Sequence, residues 1–234
     1  MNDMPKIGIL VVAYNAEKTL EAVLARIPSG FIPEISAVLI ADDASNDSTS
    51  SVAQQIKETR QDLPITVIQH QSNLGYGGNQ KAGYSWMIEN ELDLVVLLHG
   101  DGQYAPEYLP KMIEPILSLQ ADVVFGSRML TRGLALKGGM PKYKFVGNKI
   151  LTFWQNQMAG SKLSEWHSGY RAYSIDSLKK IEFQNNSDYF DFDTEIILQM
   201  LDARQRIVEI PIPTFYGDEL SRVNGIKYGW RVAK

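Results

Sequence analysis

Short apolar runs alternate with segments of helical period through the first half of the chain. Residues 6–13, 37–41, 65–69, 94–98 and 122–125 are rich in Val, Ile and Leu and show no polar alternation. Such runs suit strands covered on both faces, as in a parallel sheet. Between them, residues 17–27 place Leu20, Val23, Leu24 and Ile27 on one helical face. Residues 48–56 open a second helix, with Asp47 or Ser48 as its N-cap. Residues 78–90 and 106–119 read as two more, the latter with Pro106 in the first turn, where a missing N–H costs little. Repeated βα units of this length predict an α/β fold, a mainly parallel sheet with helices on both faces.

After Ser127 the texture changes. Residues 131–143 are rich in Gly, Lys and Met, lack periodicity and read as a mobile loop of the kind that often serves as a lid. Residues 144–158 form an apolar helix, and the helical spacing of Phe145, Phe153 and Trp154 predicts that these rings are core. Residues 193–201 read as a helix and 207–212 as a strand. No repeat, low-complexity tract or linker interrupts the chain. Residues 1–234 therefore read as one domain, with 1–127 and 128–234 as its halves.

Composition narrows the function classes. The chain has 234 residues, 44% of them hydrophobic, enough for a sizeable core. A net charge of −4 supplies no basic field for nucleic acid. The absence of cysteine excludes disulfides and thiolate metal sites and is compatible with a reducing compartment. No apolar run approaches the roughly 18 residues that span a bilayer, and no signal-peptide pattern frames residues 7–13. These features predict a cytoplasmic protein.

The candidate chemistry lies in the turns that follow the strands. In a parallel sheet these turns emerge at one edge, where open α/β folds bind ligands. The first carries Ala13-Tyr14-Asn15-Ala16-Glu17 and the second Asp42-Asp43-Ala44-Ser45-Asn46-Asp47. The third carries Asn73-Leu74-Gly75-Tyr76-Gly77-Gly78-Asn79-Gln80-Lys81. Its glycines make either a tight loop or a helix start that accepts phosphate through free N–H groups. The fourth is His99-Gly100-Asp101-Gly102-Gln103. If extended, it turns His99, Asp101 and Gln103 to one face, and oxygen ligands suit magnesium or manganese. The glycine spacing is not a dinucleotide fingerprint, so a nicotinamide site is rejected.

Taken in order, these segments resemble family 2 glycosyltransferases of the GT-A fold, and among them the polyprenyl- or dolichyl-phosphate sugar transferases. The resemblance continues through Gly126-Ser127-Arg128, Ser168-Gly169-Tyr170-Arg171, Phe192-Asp193-Thr194-Glu195, Glu209-Ile210-Pro211 and residues 222–227. It implies an inverting, metal-dependent transfer from a UDP- or GDP-linked sugar to a polyprenyl phosphate. Position by position, it assigns the nucleotide-sugar to Ala13, Tyr14, Asn15, Glu17, Asp42, Asp43, Asn73, Gly75, Gly78, Lys81, Gly100, Arg222 and Lys227. Tyr14, Glu17 and one of Asp42 or Asp43 would meet the base and ribose. The divalent cation, Mg2+ or Mn2+, would fall to Asp101 and Gln103, with His99 as a ligand or a hydrogen-bonding neighbour. Asp101, Arg128, Glu165 and Arg171 form the catalytic set. The cations among these residues would neutralise the phosphate charge that develops as the glycosidic bond breaks.

Three departures from the family pattern carry chemical weight. His99 stands where the metal turn usually begins with Asp, and Ala13 precedes Tyr14 where Pro is common. Glu165-Trp166-His167 occupies the approach to the Ser168 motif, so Glu165 or His167 is a base, a metal neighbour or a loop residue. An ionised phosphate acceptor needs little general base, whereas a sugar hydroxyl needs one in reach. Arg128 and Arg171 also have a structural alternative, as ion pairs within the fold. Functional alternatives are transfer to a sugar hydroxyl in polysaccharide, glycolipid or cell-wall synthesis, a non-catalytic nucleotide-sugar-binding module, and a nucleotidyltransferase. The tail, with Lys227, Tyr228, Trp230, Arg231 and Lys234, reads as a peripheral membrane contact or the start of a longer membrane protein.

Overall fold

The computed structural model describes residues 4–213. Seven strands form one sheet: β1 (Ile7–Ala13), β2 (Ile35–Asp42), β3 (Ile65–Gln69), β4 (Leu94–His99), β5 (Val123–Ser127), β6 (Arg171–Ser174) and β7 (Ile207–Pro211). Their order is β3-β2-β1-β4-β6-β5-β7. All neighbours are parallel except β6, which runs antiparallel between β4 and β5. The sheet thus takes strands from both halves of the chain.

The helices are α1 (Leu20–Ala25), α2 (Thr49–Thr59), α3 (Gly75–Glu89), α4 (Leu109–Leu117), α5 (Leu134–Lys137), α6 (Lys142–Ala159), α7 (Ile175–Leu178) and α8 (Phe192–Asp202). Every residue of β1 is buried. Ile7, Ile9 and Val11 face one core with Leu20, Ile56, Leu109 and Met112, whereas Leu10 and Val12 face a second with Tyr84, Met87, Ile196 and Ile197. Two-sided burial explains why the apolar runs lack alternation. Among the described residues no helix is long and apolar enough to cross a membrane.

Two predicted features differ. The loop at 131–143 contains the short α5 and ends in the first residues of α6. On α6 the face against the protein is polar, with Asn148, Thr152 and Gln155 buried, while Phe153 and Trp154 are 56% and 60% exposed. Helical spacing groups side chains on one face, but it does not say which face the protein covers. The strand β6 and the helix α7 are additional to the predicted elements. Four residues beginning with a buried arginine carry too short a pattern to register as a strand.

β1 lies between β2 and β4, so successive crossovers leave it in opposite directions. That switch point opens a crevice at the carboxyl ends of the strands. The turns after β1, β2 and β4 meet there.

Candidate active site

The turn after β4 is not an extended strand. Gly102 has φ 79, and this left-handed residue lets the Gln103 N–H return to Asp101 Oδ1 at 3.0 Å. His99, Asp101 and Gln103 therefore do not line one face of an extended strand in the way alternation predicts. Asp101 and Gln103 remain half-buried at the end of β4. Gly100 is tied to β1 by its N–H to the Val12 carbonyl at 2.9 Å and holds α1 through the Thr19 hydroxyl at 2.6 Å.

His99 is enclosed. Its ring meets Tyr104 at 5.0 Å and Tyr76 at 5.7 Å between centroids, both edge-on. A Cβ built on Gly169 would stand 2.8 Å from the ring Nε2, which is itself buried with no hydrogen-bond partner among the described residues. Burial, opposed by Asp101, lowers its proton affinity. Of the two expected roles of His99, ligand or hydrogen-bonding neighbour, the ring shows neither directly: its Nε2 is packed against Gly169.

The loops after β1 and β2 lock each other. Asn15 donates its N–H to Ser45 Oγ at 2.8 Å and accepts from the Asn46 N–H at 2.9 Å. Glu17 accepts from the Ser48 N–H at 2.9 Å. Their polar groups thus serve to set the shape of the crevice wall. Tyr14 lies at the rim and Ala13 is buried beneath it. Asp42 is fully buried: Oδ1 accepts from Ser45, while Oδ2 is buried without a partner among the described residues. Such an orphaned carboxylate oxygen at a crevice is the kind of group a ligand donor completes.

The glycine loop after β3 does a different job from the one its composition suggests. The anion at the start of α3 is Asp43, whose carboxylate accepts from the N–H groups of Leu74 at 2.6 Å and Gly75 at 3.1 Å. Burial raises the Asp43 pKa against these two bonds. Gly77 and Gly78 donate to the Asp188 carbonyl at 2.7 and 3.2 Å. Asn73 bonds the Asp43 carbonyl at 2.9 Å, and Lys81 pairs with Asp188 at 2.6 Å. Protein groups therefore take the positions a phosphate would need: Asn73 and Gly75 are bonded to Asp43, whereas Gly77, Gly78 and Lys81 brace the 184–188 segment.

Across the crevice, the segment 164–171 is held by two buried arginines. Arg128 donates its backbone N–H and Nε to the two oxygens of Glu165, each at 2.8 Å, and adds a short bond from its terminal nitrogen. Asn148 of α6 donates to the same carboxylate at 2.8 Å. Burial would raise the Glu165 pKa, but the Arg128 charge and these bonds hold it below its ordinary value. Glu165 is thus an ionised partner with its oxygens engaged, not an available base. Burial lowers His167 to about 4, so it is neutral and weakly basic at pH 7.

Arg171 is 1% exposed. It donates to the carbonyls of Ser168 and Asp193 at 2.9 Å and Trp166 at 3.3 Å. Every one of these bonds is to the protein, so Arg171 builds the loop from within. This corrects its expected place among the groups that meet phosphate. The supporting residues Tyr76, Tyr104, Asn148 and Glu209 were not singled out from the sequence. Glu209 accepts from the Ser164 N–H and hydroxyl at 2.8 and 2.7 Å; its place in the Glu-Ile-Pro motif was the available signal. Arg222 and Lys227, like the aromatic and basic tail, lie outside the described residues.

Asp101 and Gln103 offer one carboxylate and one amide, and no cluster of three His, Cys, Asp or Glu side chains suited to a metal occurs among the described residues. This donor set does not make a closed protein cage. It fits a hard cation that takes its remaining oxygens from a bound diphosphate and water.

The sequence model of glycosyl transferase family 2 matches residues 8–182. The chain is 32% identical over 221 residues to an undecaprenyl-phosphate mannosyltransferase of Micrococcus luteus, covering 92% of this chain and 86% of that one. It is 27% identical over 237 residues to a UDP-N-acetylglucosamine–dolichyl-phosphate N-acetylglucosaminyltransferase of Methanococcus voltae, covering 97% and 92%. Among solved structures, the glucosyl-3-phosphoglycerate synthase of Mycobacterium tuberculosis, in complex with Mn2+, UDP and phosphoglyceric acid, superposes with a TM-score of 0.71. That match has 14% identity and covers 98% of this chain and 76% of the other. The fold is GT-A, and the chain belongs to glycosyl transferase family 2. It is a glycosyltransferase, and its relatives include polyprenyl-phosphate sugar transferases.

Two stability measurements test this site. Glu165→Gln leaves Arg128 buried without its counter-charge, which lowers the unfolding free energy at pH 7 by about 3–5 kcal/mol. The folded Glu165 titrates below its ordinary 4.5. The difference from wild type is therefore full above that pH and shrinks as pH falls through the lower folded value. Urea denaturation from about pH 3 to 7 reads it; a gap that ignores pH removes the ion pair as its cause. Gly169→Ala overpacks both the His99 ring and the Tyr76 hydroxyl and costs about 1–3 kcal/mol. In Gly169→Ala/His99→Ala the part of that cost due to the ring disappears while the Tyr76 contact stays, giving a non-additive cycle. Additive losses would show that the ring is not the obstacle.

Proposed function

We propose that the chain transfers a sugar from a nucleoside diphospho-sugar to a polyprenyl phosphate, with inversion at the anomeric carbon and a divalent cation bound. The observation that carries the choice of acceptor is the state of the two candidate bases. Glu165 is ionised and fully engaged by Arg128 and Asn148, and His167 has its affinity for protons lowered to about 4. Neither is suited to take a proton from a sugar hydroxyl. An acceptor phosphate arrives ionised and needs no such step. The names of the two relatives point to the same acceptor class.

In this reading Tyr14 and Asp42 receive the nucleoside, with the buried Asp42 Oδ2 accepting from a hydroxyl or base N–H of the donor. Asn15, Glu17 and Asp43 hold the loops that shape this pocket. Asp101 and Gln103 hold the cation, which supplies charge neutralisation to the diphosphate leaving group. An acceptor phosphate oxygen forms a bond to the anomeric carbon as the bond to the donor's β-phosphate oxygen breaks. The nucleoside diphosphate departs with the electron pair, and a single displacement inverts the centre. Arg128, fixed by Glu165, contributes a positioned cation at the end of β5. Segment 164–171, held by Arg171, brings Glu165 and the His167 carbonyl to it. Arg222 and Lys227 complete the phosphate contacts, and UDP or GDP serves as the leaving nucleotide.

A transfer assay with UDP- and GDP-sugars, Mn2+ and a polyprenyl phosphate tests the reading. It yields a phosphate-linked glycolipid and the free nucleoside diphosphate. Asp101→Asn lowers kcat/KM by at least about a hundredfold, or about 2.7 kcal/mol. For wild type, kcat/KM rises with the acceptor's second ionisation near pH ~6 and stays level above it. Unchanged turnover in Asp101→Asn would remove the cation role. Product formed only on sugar hydroxyls would replace the acceptor.

A further inference from the structure

The helix α6 is amphipathic in the reverse sense. The face it presents to the protein carries Asn148, Thr152 and Gln155, which bond Glu165, Asn148 and Thr194. The face it turns outward carries Val146, Ile150, Phe153, Trp154 and Met158, each between 53% and 79% exposed. At 3.6 residues per turn, with Tyr143, these side chains cover a band roughly 140° wide that includes one exposed polar side chain, Gln157. An outward apolar band of this kind on a monomer marks a contact surface.

Charge identifies the contact. The whole chain is acidic, at −4, yet residues 129–164 contain Arg132, Lys137, Lys142, Lys144, Lys149 and Lys162 and no carboxylate. Lys142 and Lys149 flank the apolar band on one side and Lys144 on the other, as the helical period requires. Apolar residues in a convex band with lysines at its margins match the boundary of a bilayer, where acyl chains give way to anionic headgroups. A second copy is a poorer occupant. A two-fold contact through this band would set the same cationic margins against each other.

We propose that the outer face of α6 lies on an anionic lipid surface, with Phe153 and Trp154 inserted at the headgroup boundary. Its inner face donates through Asn148 to Glu165, the partner of Arg128. The active-site rim is therefore one helix thickness from the bilayer, with the Arg128–Glu165 pair on its inner side. This surface rests on exposure and charge and stands whether or not the acceptor is a polyprenyl phosphate.

Co-sedimentation of the full chain with vesicles tests it. At low salt, the wild type sediments with vesicles containing phosphatidylglycerol and stays in solution with phosphatidylcholine alone. Phe153→Ser/Trp154→Ser weakens partitioning by at least about tenfold, and Lys142→Glu/Lys149→Glu abolishes the preference for anionic lipid. Circular dichroism checks that both variants retain wild-type helicity. Both changes are on the surface and away from the site, so turnover with a water-soluble short-chain acceptor stays at the wild-type level. That readout separates this proposal from the acceptor assignment: loss of vesicle binding with retained transfer touches only the surface. Wild-type protein that ignores anionic vesicles overturns the proposal, as does equal partitioning of Phe153→Ser/Trp154→Ser and wild type. So does a dimer in sedimentation velocity that Phe153→Ser/Trp154→Ser converts to monomer, since a second copy would then own the face.

Discussion

The buried pairing of Arg128 with Glu165 is the constraint on which the crevice depends. It takes a guanidinium at the end of β5 and a carboxylate 37 positions away in sequence out of solvent together. Two charges leave water at high cost, and the cost is met only if each finds its partner and remaining bonds. Asn148 and the His167 carbonyl supply those bonds. The segment from Ser164 to Arg171 is therefore not a free loop. Glu209 of β7 ties its start, and Arg171 ties its end to the α8 residue Asp193.

That constraint propagates to the opposite wall. Once the segment is placed, Gly169 lies against His99 and donates its N–H to the Tyr104 hydroxyl at 2.7 Å. His99 stands at the end of β4, one residue before the turn that bears Asp101 and Gln103. The turn thus inherits its position from contacts on both sides, β1 through Gly100 and the 164–171 segment through His99 and Tyr104. Preorganisation of this kind is what electrostatic stabilisation of a leaving group requires, because fixed groups need not reorganise as charge develops.

The same packing separates charges that look alike in sequence. Asp42 and Asp43 are neighbours, yet Asp43 satisfies the N-terminus of α3 while Asp42 keeps one oxygen unpartnered at the crevice. Arg128 and Arg171 both follow a glycine-containing motif and both are buried, yet Arg128 pairs with the Glu165 carboxylate while Arg171 is bonded to backbone carbonyls. A helix N-terminus favours any anion, and here a side chain reaches it from within the protein.

The alternation of apolar runs and helical segments determined β1 to β5, their crossovers and the edge at which their turns meet. Those features are local, because hydrophobic period and turn chemistry act over a few residues. The ordered turns also determined the family. Tertiary structure decided the rest. The antiparallel strand β6 exists because β4 and β5 both offer it an edge, which no four-residue pattern announces. Phe153 and Trp154 of α6 face outward because the protein beneath that helix is polar. Glu165 is a partner and not a base because Arg128 and Asn148 reach it from distant positions. Sequence period fixes which side chains share a face; only the assembled fold fixes what that face meets and which charges lose their water.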